Sequence, residues 1–342
     1  MGEFDMPLEV REDWLAKVPE EIVDPNRRII DPHHHFFVAG GDFPFYDLDS
    51  LWGDTETHNV EQTVFLQCWE GYRTDGPEEM MPVGETEWVD SIAKLAAKRP
   101  AMAQIGAIMG TAELRLGAEV RAVLEAHVAA SPLFRGIRLG AAWDADENIM
   151  SMPGVDDGNL YEDAAFREGF AVLADMGLCF DAYQYHPQTK GLTALARAFP
   201  SVNIVNDHLG TPLGVGPYAG KREAVFAEWA QDLAELASCP NVSIKLGGLA
   251  MPWNGFGFDD DPKPPTSDEV VEQQARYYEH AIKVFGADRC MFESNFPVDK
   301  CALSYTVLWN AFKKIAANYS EPEQDAMFRG TATGFYKIEP LK

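Results

Sequence analysis

The chain has 342 residues, of which 46% are hydrophobic and 24% are charged, so it can bury a large core and is not expected to be disordered. Its formal net charge is −26 at pH 7. A surface this acidic repels the phosphates of nucleic acids and of anionic lipids, so the composition predicts no binding to nucleic acid or to a membrane. A local cluster of arginines could still bind an anionic small molecule.

The N-terminal segment and the cysteines predict a cytoplasmic protein. The first residues, "MGEFDMPLEVREDW", are acidic and contain no apolar core of a signal peptide. No apolar run approaches the length that spans a membrane. Five cysteines form no CxxC pair. Three of them lie in or beside apolar runs, which is typical of reduced, buried thiols: Cys68, Cys179 and Cys290.

Eight short apolar runs with β-forming residues recur along the chain. They are "RRIID", "QTVFLQC", "AQIGAIMG", "LFRGIRLG", "LCFDAYQY", "VNIVNDHLG", "NVSIKLGGL" and "RCMFESNFP". Amphipathic stretches such as "REAVFAEWAQDLAELA" lie between them, with apolar residues at three- and four-residue spacing. Strands that alternate with helices predict an α/β fold, here a (β/α)8 TIM barrel. We expect one domain over residues 1–342, with an N-terminal extension over residues 1–26.

Two segments lack periodicity and are rich in Gly, Pro, Asp and aromatic residues. "FVAGGDFPFYDLDSLWGD" follows the first predicted strand and "MPWNGFGFDDDPKPPTSD" follows the seventh. Active sites of such barrels lie where the strands end. Both segments are therefore predicted to be long loops that roof the C-terminal face.

Three consecutive histidines follow the first apolar run, in "DPHHHFF". Residues two apart in a strand share a face, so Asp31, His33 and His35 are predicted to point one way and His34 the other. Pairing is expected to end near Pro32, which has no N–H to donate. Two imidazoles at this spacing favour a divalent-metal site. The alternative is a polar strand end whose histidines bind backbone groups.

Two further histidines end predicted strands. His186 ends the fifth in "YQYHPQ", and His208 ends the sixth in "VNDHLG". Since the ends of barrel strands meet at one face, all four histidines are predicted to converge. His-rich ligation suits zinc, manganese, iron or cobalt. The other histidines are interpreted as structural or exposed: His58, His127 and His280.

The motifs resemble those of a known superfamily. "IIDPHHHFF" resembles the first-strand HxH signature of the amidohydrolase superfamily, and "DHLGTP", "KLGG" and "MFESNFP" resemble the later strands of its lactonase-like branch, which includes sugar lactonases and the pyrone dicarboxylate lactonase. The resemblance spans nearly the whole chain. It implies hydrolysis, or occasionally decarboxylation, of a carboxylated or cyclic substrate, with a divalent metal such as zinc or manganese. It also allows operation without metal.

Carried over to this chain, the resemblance implies metal ligation by His33, His35 and His208, and a polar role at the end of the fifth strand for His186. The lysine that the superfamily places on strand four has no counterpart in "FRGIRLG". A centre with two metals is therefore not expected, and the prediction is one divalent ion.

The last strand departs from the branch. Where the branch reads Ser/Thr-Asp-Trp-Pro, this chain has Ser-Asn-Phe-Pro at 294–297. Asn295 cannot accept a proton as the aspartate would. Glu293 shares its face of the strand, so we hypothesise that Glu293 has the acid/base role; the alternative is a buried, paired glutamate. Asp299 could also supply a carboxylate from the loop. The predicted catalytic residues are His186, His208, Glu293 and Asn295.

Cations and aromatic residues near the strand ends are candidates for binding the substrate. Arg138 is nearer the strand end than Arg135 and could bind a carboxylate, or form a surface ion pair instead. Lys245 is interpreted as a substrate-facing cation or a structural ion pair. Aromatic residues at the predicted mouth suit a ring-bearing ligand, or belong to the core. The predicted substrate-binding residues are Arg138, Arg73, Tyr183, Lys245, Trp253 and Asp299.

The leading functional hypothesis is metal-assisted hydrolysis of a lactone, or of a related cyclic ester or amide, in a carboxylated or aromatic small molecule. The alternative is metal-dependent decarboxylation of an aromatic acid on the same fold. A catalytically silent barrel is the third hypothesis, and the substituted aspartate is its only support. The expected partner is an anionic or aromatic small molecule, and a homo-oligomer is compatible with the sequence.

Overall fold

The computed structural model describes residues 8–41 and 43–341. The first seven residues, part of the segment in which no signal peptide is predicted, lie outside the described residues. Residue 42, in the predicted loop after the first strand, also lies outside them.

Eight parallel strands form one sheet in chain order, from β1 to β8. At the seam, His35 N donates to Phe296 O (2.8 Å) and Asn295 N donates to His33 O (3.0 Å), so the ends of β1 and β8 close the sheet into a barrel. The predicted (β/α)8 barrel is confirmed. The strands are β1 (Ile29–His34), β2 (Val60–Leu66), β3 (Gln104–Gly110), β4 (Phe134–Gly140), β5 (Cys179–Tyr183), β6 (Ile204–Asn206), β7 (Val242–Leu246) and β8 (Cys290–Phe292).

One short helix precedes the first strand, and the other helices lie between the strands and after the last one. They are α1 (Glu12–Leu15), α2 (Leu48–Thr55), α3 (Val83–Ala96), α4 (Val120–Ala130), α5 (Ala164–Asp175), α6 (Thr189–Ala198), α7 (Arg222–Ala237), α8 (Ser267–Phe285), α9 (Tyr305–Ala316), α10 (Glu321–Asp325) and α11 (Thr331–Phe335). Helix α7 coincides with the amphipathic stretch that predicted it. In the described part of the chain, no helix is long and apolar enough to cross a membrane.

Helix α2 lies, except for Thr55, within the segment that was predicted to be entirely loop, so that prediction is wrong over residues 48–54. The Asp47 side chain accepts a hydrogen bond from Ser50 N at 2.9 Å and caps the first turn. Leu51 and Trp52 are buried. The cap and two buried side chains stabilise a helix that is too short to show apolar periodicity.

The barrel interior is apolar towards its N-terminal end. The buried side chains that fill it come from the inner faces of the strands and from the C-terminal segment: Ile30, Val64, Leu66, Ala107, Met109, Cys179, Val205, Met291, Ala332, Tyr336 and Ile338. All five cysteines are free and buried, which agrees with the buried thiols predicted at three of them. The buried histidines His33, His35 and His208 lie at the opposite end, where the strands finish.

Strand β1 is irregular at the histidine motif. It continues past Pro32 to His34, but its pairing with β2 shifts register between Asp31 and His34, so pairing becomes irregular there without ending. Asp31 accepts hydrogen bonds from Ser294 N and from Tyr305 OH of α9, both at 3.0 Å. The predicted common face of Asp31 and the two site histidines is therefore wrong, because the register shift breaks the simple alternation.

Candidate active site

Three histidine side chains meet at the C-terminal end of the barrel. His33 and His35 come from the end of β1, and their Nε2 atoms lie 3.2 Å apart. His208 follows β6, and its ring centroid lies 4.5 Å from that of His33. All three are buried. The structure thus brings together three of the four histidines that the sequence singled out.

The tautomer of His35 is set by its surroundings. Nδ1 lies 2.9 Å from the carbonyl oxygen of Leu66, at the end of β2. A carbonyl oxygen only accepts, so Nδ1 carries the hydrogen and Nε2 presents a lone pair towards His33. Burial lowers the pKa of both His33 and His35 well below the ordinary value. Both rings are therefore neutral and can act as ligands or acceptors.

Glu293 links His33 and His208 directly after β8. Its Oε1 accepts hydrogen bonds from N and Nδ1 of His208, at 3.1 and 2.8 Å, and its Oε2 lies 2.7 Å from His33 Nδ1. Burial raises the pKa of this carboxyl group to about 8, although Lys245 acts in the opposite direction. A carboxyl group of this kind can accept and release a proton near neutral pH.

Lys245 forms a buried ion-pair network beneath the histidines. Its Nζ lies 2.7 Å from Asp181 Oδ2 on β5, 3.0 Å from Asp207 Oδ1 and 3.1 Å from His33 Nδ1. Burial alone would lower the pKa of Lys245, but the attraction of these aspartates raises it. Tyr336 OH donates to Asp181 Oδ2 at 2.7 Å. Of the two interpretations given from the sequence, these contacts favour the structural ion pair.

Asp181 and Asp207 were not predicted as part of the site. The sequence contains a signal for Asp181, because "LCFDAYQY" places a carboxylate and "NVSIKLGG" a lysine inside apolar strands, and Asp207 follows the apolar run of "VNIVNDHLG". A charge buried in this way requires an opposite charge nearby. Which strands face each other across a barrel is not visible in a single strand, so the partners could not be assigned.

Arg138 and Tyr183 form a wall beside the histidines. Arg138 is buried, and its Nε lies 3.3 Å from Asp207 Oδ2. Its guanidinium group lies over the Tyr183 ring, 4.7 Å from the centroid. The Tyr183 ring is in turn perpendicular to that of His208, with centroids 5.5 Å apart. Arg138 therefore forms an ion pair with a carboxylate of the protein itself. This pair is buried and does not lie at the surface.

Among the described residues, no hydrogen bond or ring contact joins His186 to the other three histidines. It begins a short 3-10 turn after β5 and packs edge-on against Tyr218, with ring centroids 5.2 Å apart. Its Nδ1 accepts a hydrogen bond from Leu213 N at 3.3 Å, which places the hydrogen on Nε2. Burial lowers the pKa of His186 to about 4. The neutral ring therefore presents a donor, and Nε2 has no hydrogen-bond partner among the described residues.

Asn295 and Asp299 form a pair behind the end of β8. Asn295 has a left-handed backbone, with φ of 55°, and its Nδ2 donates to Asp299 Oδ1 at 2.9 Å. Asp299 Oδ2 accepts from Ala250 N at 3.3 Å. Burial raises the pKa of Asp299 to about 8. These contacts hold Asp299 inside the protein and orient the amide of Asn295.

The remaining predicted residues lie in the loops. Arg73 is paired with Glu87, with Nε 3.2 Å from Oε2, and its side chain is one-third exposed. Trp253 is buried in a turn after β7, and its carbonyl oxygen accepts a hydrogen bond from Gly214 N at 2.9 Å. The loops after β6 and β7 are therefore joined at Trp253.

Comparison with known protein families identifies the family of this chain over almost its whole length. The sequence profile of the family described as Amidohydrolase matches residues 30–338. The chain belongs to the amidohydrolase family.

Two relatives match this amidohydrolase across nearly their full length. It is 32% identical to the uncharacterized protein y4mH of Sinorhizobium fredii, over 91% of this chain and 98% of the relative. It is 26% identical to the L-fucono-1,5-lactonase of Burkholderia ambifaria, over 91% of this chain and 96% of the relative.

Solved structures of low sequence identity share the fold. An amidohydrolase from Burkholderia multivorans, crystallised with bound zinc, superposes with a TM-score of 0.70 at 23% identity, over 91% of this chain and 99% of the other. A protein from Pseudomonas putida described as a 2-pyrone-4,6-dicarboxylic acid hydrolase gives 0.62 at 18%, over 91% and 98%. A dihydroxybenzoic acid decarboxylase from Polaromonas, with bound manganese, gives 0.54 at 14%, over 91% and 96%.

The donor atoms of this amidohydrolase fit one divalent metal ion. One ligand atom each from His33, His208 and Glu293 lies within 4.8 Å of the others, and the lone pair of His35 Nε2 faces His33. Nitrogen and carboxylate ligands of this kind suit zinc or manganese. The ammonium group of Lys245, 3.1 Å from His33 Nδ1, would repel a second cation at that position.

Proposed function

We propose that this amidohydrolase hydrolyses a lactone, or a related cyclic ester or amide, with one divalent metal ion held by His33, His35 and His208. The observation that carries the proposal is the meeting of these neutral imidazoles, two of them in contact with Glu293, at the end of the barrel where such enzymes react. The match to a lactonase over nearly its whole length supports the choice of a cyclic ester.

The metal would be held by imidazole nitrogens of His33, His35 and His208, with Glu293 as a neighbouring carboxylate. When bound, it would supply Lewis-acid polarisation of the carbonyl oxygen and would acidify water. Lys245 would keep its ammonium group below this position, held there by Asp181 and Asp207.

Glu293 would move the protons of the reaction. Its carboxylate would take a proton from the attacking water, and the carboxylic acid would return it to the oxygen that leaves when the ring opens. Asn295 would not act as a base, because an amide is not basic near neutral pH; it would accept hydrogen bonds in an orientation set by Asp299.

Arg138, Tyr183 and His186 would position the substrate. The Tyr183 ring provides an apolar face beside His208, and Arg138 fixes that ring from the other side. His186 would donate its Nε2 hydrogen to an oxygen of the substrate. Trp253 would hold the loops after β6 and β7 around the bound molecule, and we assign Arg73 no contact with it.

The proposal is tested by the products formed from a panel of lactones and hydroxybenzoic acids, with and without a chelator. We expect one hydroxy acid per lactone consumed, loss of turnover after chelation, and its return with zinc or manganese. Release of carbon dioxide from a hydroxybenzoic acid, without turnover of lactones, would instead establish the alternative.

Metal-dependent decarboxylation is retained as the second candidate because of Asn295. Decarboxylation requires no activated water, so an amide in place of the usual aspartate would not impair it. The decarboxylase from Polaromonas shares the fold.

A further inference from the structure

The backbone adopts an unusual conformation directly after β6. His208, Leu209 and Thr211 have φ values of 53°, 55° and 43°, and Gly210 between them has a φ of 68°. We call these four residues the left-handed turn, because each lies in a region of φ that only glycine adopts without strain. The three residues with side chains are buried. Such a conformation costs free energy and persists only where the surrounding structure holds it.

The left-handed turn sets the direction of the His208 ring. Thr211 N donates to His208 O at 2.8 Å and closes the turn. The backbone N and the ring Nδ1 of His208 both donate to Glu293 Oε1, at 3.1 and 2.8 Å. Since both donors belong to one residue, a change in the backbone angles of His208 would move its ring away from Glu293 and from His33.

Neighbouring loops pack closely against both ends of the turn. A Cβ atom at Gly248, after β7, would lie 2.4 Å from His208 Nδ1 and 2.6 Å from His208 Cβ, so only glycine permits this approach. At the other end, His186 N donates to Thr211 O at 3.2 Å. The position of the His208 ring is therefore specified by the loops after β5 and β7 as well as by Glu293.

One side chain from outside the barrel also holds the left-handed turn. Trp229 lies on α7, is 1% exposed, and donates from Nε1 to Leu209 O at 2.6 Å. Both groups are buried, so water cannot replace the bond and its loss would leave a buried carbonyl oxygen in need of a donor. Among the described residues, no hydrogen bond or ring contact joins Trp229 to His33, His35 or His208. Trp229 can therefore act on the site only through the turn.

We propose that Trp229 is a positioning residue of the candidate site, which holds the left-handed turn in the conformation that directs His208 towards His33 and Glu293. This inference rests on the proposed function and deepens it, since His208 is one of the proposed metal ligands. Loss of a group that orients a metal ligand typically lowers the metal affinity by about 10–100-fold. Loss of the indole N–H should therefore weaken metal binding although every ligand is still present.

Trp229→Phe tests the inference, because it keeps an aromatic ring and removes the indole N–H. Trp52→Phe is the matched control: Trp52 is 5% exposed, and its Nε1 donates to Ala103 O at 3.0 Å, directly before β3 and thus at the opposite end of the barrel. The zinc dissociation constant of each chelator-treated protein is measured by competition with a chromogenic chelator. We expect Trp229→Phe to raise it about tenfold or more and Trp52→Phe to leave it unchanged. A wild-type constant in Trp229→Phe, or equal effects of the two substitutions, would overturn the inference.

The ring proton of His208 reports the position of this side chain without metal or turnover. In the metal-free protein, the 2.8 Å hydrogen bond from His208 Nδ1 to Glu293 should give a downfield, slowly exchanging proton signal in NMR spectra of protein labelled with nitrogen-15 histidine. Its absence from His208→Gln assigns it. We expect the signal to be lost or shifted in Trp229→Phe and kept in Trp52→Phe.

An unchanged His208 signal in Trp229→Phe would overturn the positioning role. If wild type binds neither zinc nor manganese while the signal still depends on Trp229, the proposed metal centre fails and the positioning role stands.

Discussion

Replacing Glu293 by glutamine separates proton transfer from structural support. Glutamine keeps the shape of the side chain and an Oε1 that can accept both hydrogen bonds from His208, now at 3.1 and 2.8 Å. It cannot take up a proton. If Glu293 transfers protons, kcat/KM for lactone hydrolysis should fall by about 10²–10⁴-fold, the usual worth of a general acid or base. If it only orients His208, kcat/KM should fall by less than about tenfold, which is the effect of losing one hydrogen bond.

Glu85→Gln is the matched control for this variant. Glu85 is equally buried, burial raises its pKa to about 8, and it accepts hydrogen bonds from Cys68 N and Glu70 N, both at 2.9 Å. It should retain wild-type kcat/KM. The assay is steady-state lactone hydrolysis with metal content measured on the same samples. A Glu293→Gln enzyme within tenfold of wild type, with metal content unchanged, would refute the acid/base assignment.

Two further predictions concern stability. Lys245→Met should lower the free energy of unfolding by about 3–5 kcal/mol, because it leaves Asp181 buried without a cation and Asp207 with Arg138 alone. Lys263→Met, in an exposed pair with Glu269, should change it by less than about 1 kcal/mol, and equal effects in denaturant titrations would contradict the buried network. For Glu85 the folded pKa of about 8 exceeds the ordinary 4.5, so folding takes up a proton and this residue's contribution to stability should decrease as the pH rises from about 4.5 to about 8. Glu85→Gln should remove that decrease, and unfolding profiles of equal slope in both proteins over this window would contradict it.

The fold was predictable because its signals are local. Strand and helix periodicities alternate along the chain, and α7 begins and ends with its amphipathic pattern. Helix α2 was missed since it depends on the Asp47 cap and on two buried side chains in a Gly- and Pro-rich context. The register shift at Pro32 was missed because it depends on pairing between β1 and β2.

The residues of the candidate site were predictable where the pattern of a single strand determines their position. The i, i+2 spacing correctly placed His33 and His35 side by side, and the strand-end position placed His208 near them. His186 was expected to join them, but the turn after β5 carries it towards Tyr218. The partners of Lys245 could not be foreseen, since they come from strands far apart in sequence.

The most direct test of the account is the metal content of the dialysed protein, measured together with lactone turnover. We predict one equivalent of zinc or manganese in wild type, loss of both metal and turnover in His35→Ala, and retention of both in His280→Gln, which alters a histidine on α8 outside the cluster. A metal-free wild type that hydrolyses lactones at full rate, or a His35→Ala protein that retains its metal, would contradict the assignment of these histidines as the metal site.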